Sequence, residues 1–413
     1  MFAFLFAFGT VAYLQQRTIT VAGYQMMPQL GISQQQLGWL ESAFLLGYTC
    51  LQLPGGLLGQ RLGARSLLLI VSCVALGAML VAPLAAAVLT GLTLFAVLFT
   101  AQLLLGAAQG PIFPVSAGVF AAWFTPNRWP LVQGLQSMGL QIGAAATPPL
   151  IAWLMSAFGW QRAIVWTTLP ATLLIAGWML YARDTPGEHP GVGAAELAEL
   201  GPPRPAANAA ISWPRLWALL RNRDVFALTL SYLCMNYAFY LIANWTFLYL
   251  VQERHFTVLE GGWLAATPPL AAGFGAGLGG QLAAVLERRR GVRRGLRLVP
   301  LVSLPAAGLL LFVAVGAANG YLAALALALC FACVELNEAP YWAAAMHVGR
   351  ADTMAATGVL NTGGNLGGVI ATPIIAYLSA HQGWGSAFAL GAVSTVVGAG
   401  LWLLVDPERK AHG

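Results

Sequence analysis

The sequence predicts an all-α integral membrane protein with twelve transmembrane helices in two six-helix bundles. Three observations carry that expectation. Of the 413 residues, 59% are hydrophobic and only 8% charged, whereas a soluble domain carries about 25% charged residues, so this chain needs lipid as its solvent. The apolar residues fall into runs of about 20, the length that crosses a bilayer as a helix. Finally, the chain aligns on itself at an offset of 237 − 13 = 224 residues.

Taken in order, the first six spans lie near 2–26, 36–59, 66–88, 92–116, 131–156 and 160–182. Residues Phe2 to Leu14 are apolar, with no basic n-region and no small-residue cleavage site, so they read as a first span rather than a signal peptide. Residues 1–182 therefore form an N-terminal bundle. The long break at 183–224 holds Pro186, Pro190, Pro202, Pro203 and Pro205 with Glu188, Glu196 and Glu199, and reads as a cytoplasmic linker. Its end, from Ser212 to Trp217, reads as a capped helix lying at the interface with tryptophans at headgroup level. The other six spans, near 225–251, 259–286, 298–317, 320–346, 354–379 and 385–406, make a C-terminal bundle over 225–413.

Charge fixes an orientation. On this topology 17 of the 20 Lys/Arg fall on one side, the exceptions being Arg17, Arg162 and Arg254, and six arginines (Arg288, Arg289, Arg290, Arg293, Arg294, Arg297) crowd one loop. The positive-inside rule places that side, and both termini, in the cytoplasm. The near absence of lysine beside abundant Ala, Gly and Arg points to a GC-rich bacterial genome and hence to the inner membrane. The net charge of +6 sits in turns between spans, which is not a nucleic-acid footprint, although the basic loop would also attract lipid headgroups.

The repeat places Tyr13 on Tyr237, Gly38-Trp39-Leu40 on Gly262-Trp263-Leu264, and Gly55-Gly56-x-Leu58 on Gly279-Gly280-x-Leu282. Gly134, Gly139, Gly143 and Pro149 fall on Gly358, Gly363, Gly367 and Pro373, and Gly159-Trp160 falls on Gly383-Trp384. Two halves related in parallel are a transporter architecture, with the site near mid-membrane between them and access alternating as one half rocks against the other. Glycine pairs four apart (139/143, 273/277, 363/367 and 364/368) allow the helices to approach closely and slide.

Enzyme classes find no support. Gly275-x-Gly277-x-x-Gly280 matches a dinucleotide fingerprint by letters alone, inside a span with no preceding strand. There is no Walker loop, and the only lysine is Lys410. The five cysteines all fall in spans, and Cys330-x-x-Cys333 has no second pair, so they read as small apolar packing residues. No cofactor or metal is expected.

The side chains that break the apolar pattern carry the chemistry. Glu335 and Glu338 lie in an otherwise apolar span, three residues apart and so on one helix face. A charge at the bilayer centre costs about 2.5–3.5 kcal/mol, so both must face protein or a water-filled cavity, and Pro340 frees a carbonyl beside them. They are either structural acids or a proton site. Arg17, mid-span, offers a planar fork suited to a carboxylate, or else pairs permanently with one of the glutamates. Gln102 and Gln109 suit hydroxyls of a polyol or tie helices together. Tyr13, Tyr237, Tyr240, Asn236, Asn244, Asn361, Asn365 and Trp342 complete a set suited to a small polar ligand, and Glu41 reads as solvated.

The stretch Gly56-x-x-Gly59-Gln60-Arg61-Leu62-Gly63-Ala64-Arg65 resembles the loop signature of the major facilitator superfamily. Ser42-Ala43-Phe44 with Tyr48, Gln52 and Pro54-Gly55-Gly56, then Phe113-Pro114 with Trp123-Phe124, are similar to the anion:cation symporter family within it. So are Gly159-Trp160-Gln161-Arg162, Arg183 to Pro190, Glu338-x-Pro340-Tyr341-Trp342 and Asn361 to Gly368. The resemblance implies a carrier that imports small organic anions, often sugar acids, on a proton or sodium gradient, with spans one and ten lining the cavity; a monomer is the expected state. It also implies that Gly56, Gly59, Gln60, Arg61, Gly63 and Arg65 form the conformational loop motif.

The chain departs from this pattern at several places. The loop acid is Gln60, whose second-half counterpart is read as Ala284. The fourth-span Arg and Glu are Gln102 and Gln109, and the first-span acidic-Arg pair is Gln16-Arg17. The expectation is proton symport of a carboxylate, with Arg17 binding it and Glu338 or Glu335 carrying the proton. The alternative is a carrier of a neutral or amphipathic molecule with Arg17, Glu335 and Glu338 as a gate pair.

Overall fold

The structure is a computed structural model that describes residues 1–200 and 213–409. It is helical throughout, with no strand among the described residues. The helices are α1 (Phe2–Leu30), α2 (Gln34–Leu62), α3 (Ala64–Val88), α4 (Gly91–Gln109), α5 (Ile112–Trp123), α6 (Trp129–Tyr181), α7 (Ala194–Leu200) and α8 (Trp213–Leu220). There follow α9 (Arg223–Gln252), α10 (Val258–Ala265), α11 (Thr267–Arg290), α12 (Val292–Gly316), α13 (Gly320–Glu335), α14 (Glu338–Gly349), α15 (Thr353–His381) and α16 (Trp384–Leu401).

Among the described residues, eight stretches are long and apolar enough to cross a membrane, and one of them, Gly320–Ser379, contains two passages. Adding α1, α2 and the first part of α6, which turns at Gly159, gives twelve. Three passages are broken. The fourth bends between α4 and α5 at Gly110-Pro111, the eighth between α10 and α11 at Ala266, and the tenth between α13 and α14 at Leu336-Asn337. Each break has a proline at or shortly after it, and a proline in a helix excludes the carbonyl four residues back. In the tenth passage that carbonyl belongs to Leu336, four before Pro340.

Within the linker the structure has a short 3-10 turn, Pro186–Glu188, then α7 and α8. The capping serine expected for α8, Ser212, lies outside the described residues, as does Lys410.

The chain divides into two compact units, 1–123 with 143–211 and 124–142 with 212–413. In the first, small residues set the packing. Gly47 and Gly106 lie on the backbone of Leu103 and Phe44, so α2 and α4 touch main chain to main chain, and Gly55 receives the ring of Pro111. Trp160 is fully buried and its indole N–H donates to Gln29 at 2.8 Å. In the second, α11 is the centre of close packing. Gly275 and Gly279 lie on the carbonyls of Ala332 and Leu336, and Gly280 on Pro130 and Gly134. On α15, Gly364 and Gly368 receive the rings of Tyr232 and Tyr240 from α9.

The repeat is visible in the backbone, and it corrects the alignment. Gly159 and Gly383, 224 apart, both turn at positive φ, 77° and 81°. The corresponding turns between α2 and α3 and between α11 and α12 are at Gly63 (φ 84°) and Gly291 (φ 80°), which are 228 apart. Each turn is a single glycine, so the end of α11 carries four residues more than the end of α2, and counting back from the turn the counterpart of Gln60 is Arg288 rather than Ala284.

Candidate functional site

The polar groups of the second unit gather around the break in the tenth passage. Asn337 holds the break. Its amide Nδ2 donates to the carbonyls of Cys333 (2.7 Å) and Val334 (3.1 Å), and its Oδ1 accepts from Ser303 Oγ on α12 at 2.8 Å. These are carbonyls near a helix end that need partners where water is scarce. We expect Asn337→Ala to cost about 1–3 kcal/mol in thermal unfolding of the detergent-solubilised protein, the usual penalty for stranding buried polar partners.

The break changes the relation between the two glutamates. They do not share a face of one helix, because Glu335 closes α13 and Glu338 opens α14. Glu335 turns to α6, where its Oε1 accepts from Gln141 Nε2 at 3.0 Å and its Oε2 is buried without a partner. Glu338 turns to α9, and Tyr232 Oη straddles its two oxygens at 2.9 and 3.0 Å. Trp342, one turn on along α14, donates its indole N–H to Glu338 Oε2 at 2.9 Å. Both carboxyl groups are buried, and their hydrogen-bond donors are all uncharged.

A polar strip continues along α9, whose Tyr232, Asn236 and Tyr240 recur every four residues and so share one face. Asn236 Nδ2 donates to the Tyr232 carbonyl (2.8 Å), and Tyr240 Oη donates to Asn365 Oδ1 on α15 (2.8 Å). Asn365 Nδ2 reaches the Asn361 carbonyl (2.9 Å), leaving Asn361 Nδ2 buried without a partner. Thus Glu338, Trp342, Asn236, Tyr240, Asn361 and Asn365 come together. Tyr237 does not join them, since it points the other way and donates to the Ala387 carbonyl at 3.3 Å. Asn244 is exposed at the far end of α9. Sequence reasoning missed Tyr232 and Gln141; the four-residue spacing of Tyr232 with Asn236 and Tyr240 was the available signal for the first.

In the first unit, Gln102 is buried among α1, α3 and the later part of α6, beside Thr18, Met79 and Ile164, with its Oε1 unpartnered. Gln109 spends its amide on Gln15 Oε1 at 3.0 Å, tying α4 to α1. Tyr13 and Arg17 are half-buried on α1, and within its own unit Arg17 makes no hydrogen bond to another described residue. Glu41 is exposed.

The loop motif closes on the residue after the sixth passage. Asp184 Oδ1 accepts from the Arg65 backbone N–H at 2.8 Å, its carboxylate lies over Gly63, and Arg65 Nη2 donates to the Met179 carbonyl at 3.0 Å. Gly56, Gly59 and Gln60 are buried, while Arg61 is exposed. Among the described residues no cluster of His, Cys, Asp and Glu is arranged to hold a metal.

Residues 4–351 match the Major Facilitator Superfamily. The chain belongs to that family. It is therefore a multi-pass membrane transporter rather than an enzyme. It is 29% identical over 97% of its length, and 94% of the relative's, to the "Probable sulfoacetate transporter SauU" of Cupriavidus necator. It is 26% identical to the "Probable galactarate/D-glucarate transporter GudP" of Bacillus subtilis, covering 98% and 91% of the two chains. It is 25% identical to an Escherichia coli "D-galactonate transporter", covering 98% and 94%. Two solved structures share the fold: FucP in its outward conformation (TM-score 0.74, 17% identity, 98% of both chains) and the proton:xylose symporter XylE (TM-score 0.78, 12% identity, 98% and 95%).

Proposed function

We propose that this protein is a proton-coupled symporter of a small organic anion, a carboxylate bearing hydroxyls such as a sugar acid, in a bacterial inner membrane with both termini cytoplasmic. The reading rests chiefly on one observation, that Glu338 is buried between Tyr232 and Trp342 with no cation among its hydrogen-bond partners. A tyrosine hydroxyl donates to a carboxylate and accepts from a carboxylic acid, so this setting serves both protonation states. The names of the relatives, transporters of sulfoacetate, galactarate, glucarate and galactonate, support an anionic substrate. Arg17 binds the substrate's carboxylate. Asn236, Tyr240, Asn361 and Asn365, whose amides and hydroxyl both donate and accept, meet its hydroxyls, with Tyr13, Gln102 and Gln109 as further contacts, while Tyr237, turned to the Ala387 carbonyl, takes no part.

The test is uptake of labelled sugar acids and sulfoacetate into proteoliposomes, with and without an inward proton gradient. Gradient-dependent accumulation is expected. Arg17→Ala should weaken apparent substrate affinity about 10- to 150-fold, the worth of about 1.5–3 kcal/mol for a hydrogen bond to a charged group. Uptake indifferent to the gradient would make the glutamates structural. Movement of neutral solutes only would favour the neutral-carrier alternative, to which the uncharged Gln102 and the Gln109–Gln15 tie lend weight.

A further inference from the structure

The turn between α11 and α12 holds an open cavity of about 590 Å³ that the transport mechanism does not use. Arg289 and Arg290 reach it from the last turn of α11, and Arg294 and Arg297 from the first turns of α12. Gly291, at φ 80°, makes the turn tight enough to bring the two sets together. Among the described residues no carboxylate lines the cavity. Nearby acids are already engaged, Asp406 with Arg293 at 3.2 Å and Asp224 with Arg409 at 3.4 Å. Arg297 is fixed by the Val405 carbonyl, which it contacts through Nε at 2.7 Å and also through Nη2. Arg289, Arg290 and Arg294 are exposed and, among the described residues, have no ion-pair partner. Three unpaired guanidinium groups, with Arg297 beside them, thus face one open space into which no described residue puts a carboxylate.

The other wall decides what fills that space. Leu298 and Leu301 continue down α12 by one and two turns from Arg294, and Leu403, 60% exposed, stands beside them. Past them α12 offers the exposed apolar side chains Val302, Leu309 and Phe312 to lipid. Cationic forks above an apolar slope, at the end of a membrane span, match a phosphate with acyl chains hanging from it. A soluble phosphate would gain nothing from the leucines. We infer that this cavity is a binding site for the headgroup of an anionic phospholipid, held at the membrane surface that the positive-inside rule assigns to the cytoplasm.

The experiment is native mass spectrometry of the purified full-length protein with phosphatidylglycerol, phosphatidylcholine or inorganic phosphate. Wild type should retain one phosphatidylglycerol in clear preference to phosphatidylcholine, with millimolar inorganic phosphate failing to displace it. Each arginine near a membrane surface is worth about a fivefold change in affinity for anionic lipid, so Arg289→Gln/Arg290→Gln/Arg294→Gln should weaken retention by roughly 100-fold. Should the triple variant fail to insert, Arg290→Gln and Arg294→Gln alone should each weaken it about fivefold, whereas Arg288→Gln, outside the cavity, should weaken it by less than either. Equal retention of the two lipids, or unchanged retention in the variants, would overturn the proposal. Displacement by inorganic phosphate would show a soluble-anion site and overturn the lipid assignment.

Discussion

Glu338→Gln is expected to abolish gradient-driven accumulation while leaving substrate exchange across the membrane within about threefold of wild type. Glutamine keeps the shape of the side chain. Its carbonyl still accepts from Tyr232 and Trp342, and its amide donates where a protonated acid would. What it cannot do is release a proton. A gradient of one pH unit is worth about 1.4 kcal/mol, which supports tenfold accumulation when one proton accompanies each monovalent anion. In Glu338→Gln that ratio should fall to one, measured as internal over external label in proteoliposomes, with counterflow retained as proof of folding. Glu335→Gln should keep the tenfold ratio, because its neighbour Gln141 is a single neutral donor that an amide can also satisfy. Accumulation by Glu338→Gln at the wild-type ratio would remove Glu338 from the coupling mechanism. Loss in Glu335→Gln alone would move the proton to Glu335. Tyr232→Phe removes the one group that bridges both carboxyl oxygens, and should loosen coupling while Trp342 still holds Oε2.

The number of passages and the burial of Glu335 and Glu338 inside one of them were legible in the sequence, since both depend on where charge and polarity interrupt apolar runs. The breaks were not. Residues 110–111, 266 and 336–337 lie inside apolar stretches, so hydropathy passes over them; each has a proline at or just after it, but only Pro340 stands beside carboxylates that draw notice to it. That break is also why the two glutamates diverge: three-residue spacing implies a shared face only while the helix is continuous. Gly63 and Gly291 show a second limit. Letters alone favoured the constant offset, and only the shared backbone conformation revealed that the helix before the second-half turn had lengthened. Similarly, Tyr237 has the same residue type as its neighbours in the site but faces Ala387, because one residue along a helix rotates the side chain by 100°.

Gly279→Ala and Gly275→Ala are expected to be among the most destabilising single-methyl changes in the chain. On each, a Cβ would overlap a backbone carbonyl oxygen of the facing helix, that of Leu336 for Gly279 and that of Ala332 for Gly275. A clashing side chain can rotate away, but a carbonyl in a helix cannot, so α11 and α13 would have to separate. The separation reaches beyond the interface, because Leu336 is at the break from which Glu335 and Glu338 diverge. Overpacking in a well-packed core costs about 1–3 kcal/mol, and these sites belong at the upper end or beyond. The comparison is Gly77→Ala on α3, where a Cβ would meet nothing within 4 Å and the helix-propensity gain should leave stability unchanged or slightly raised. Thermal unfolding in detergent, followed by loss of the monodisperse peak, measures all three. Because Gly275 and Gly279 press on one interface, the double variant should cost less than the two singles added together. A full additive cost would mean that each glycine meets its own independent constraint. Tolerance of either alanine at the level of Gly77→Ala would mean that α11 and α13 do not need main-chain contact to hold the break in place.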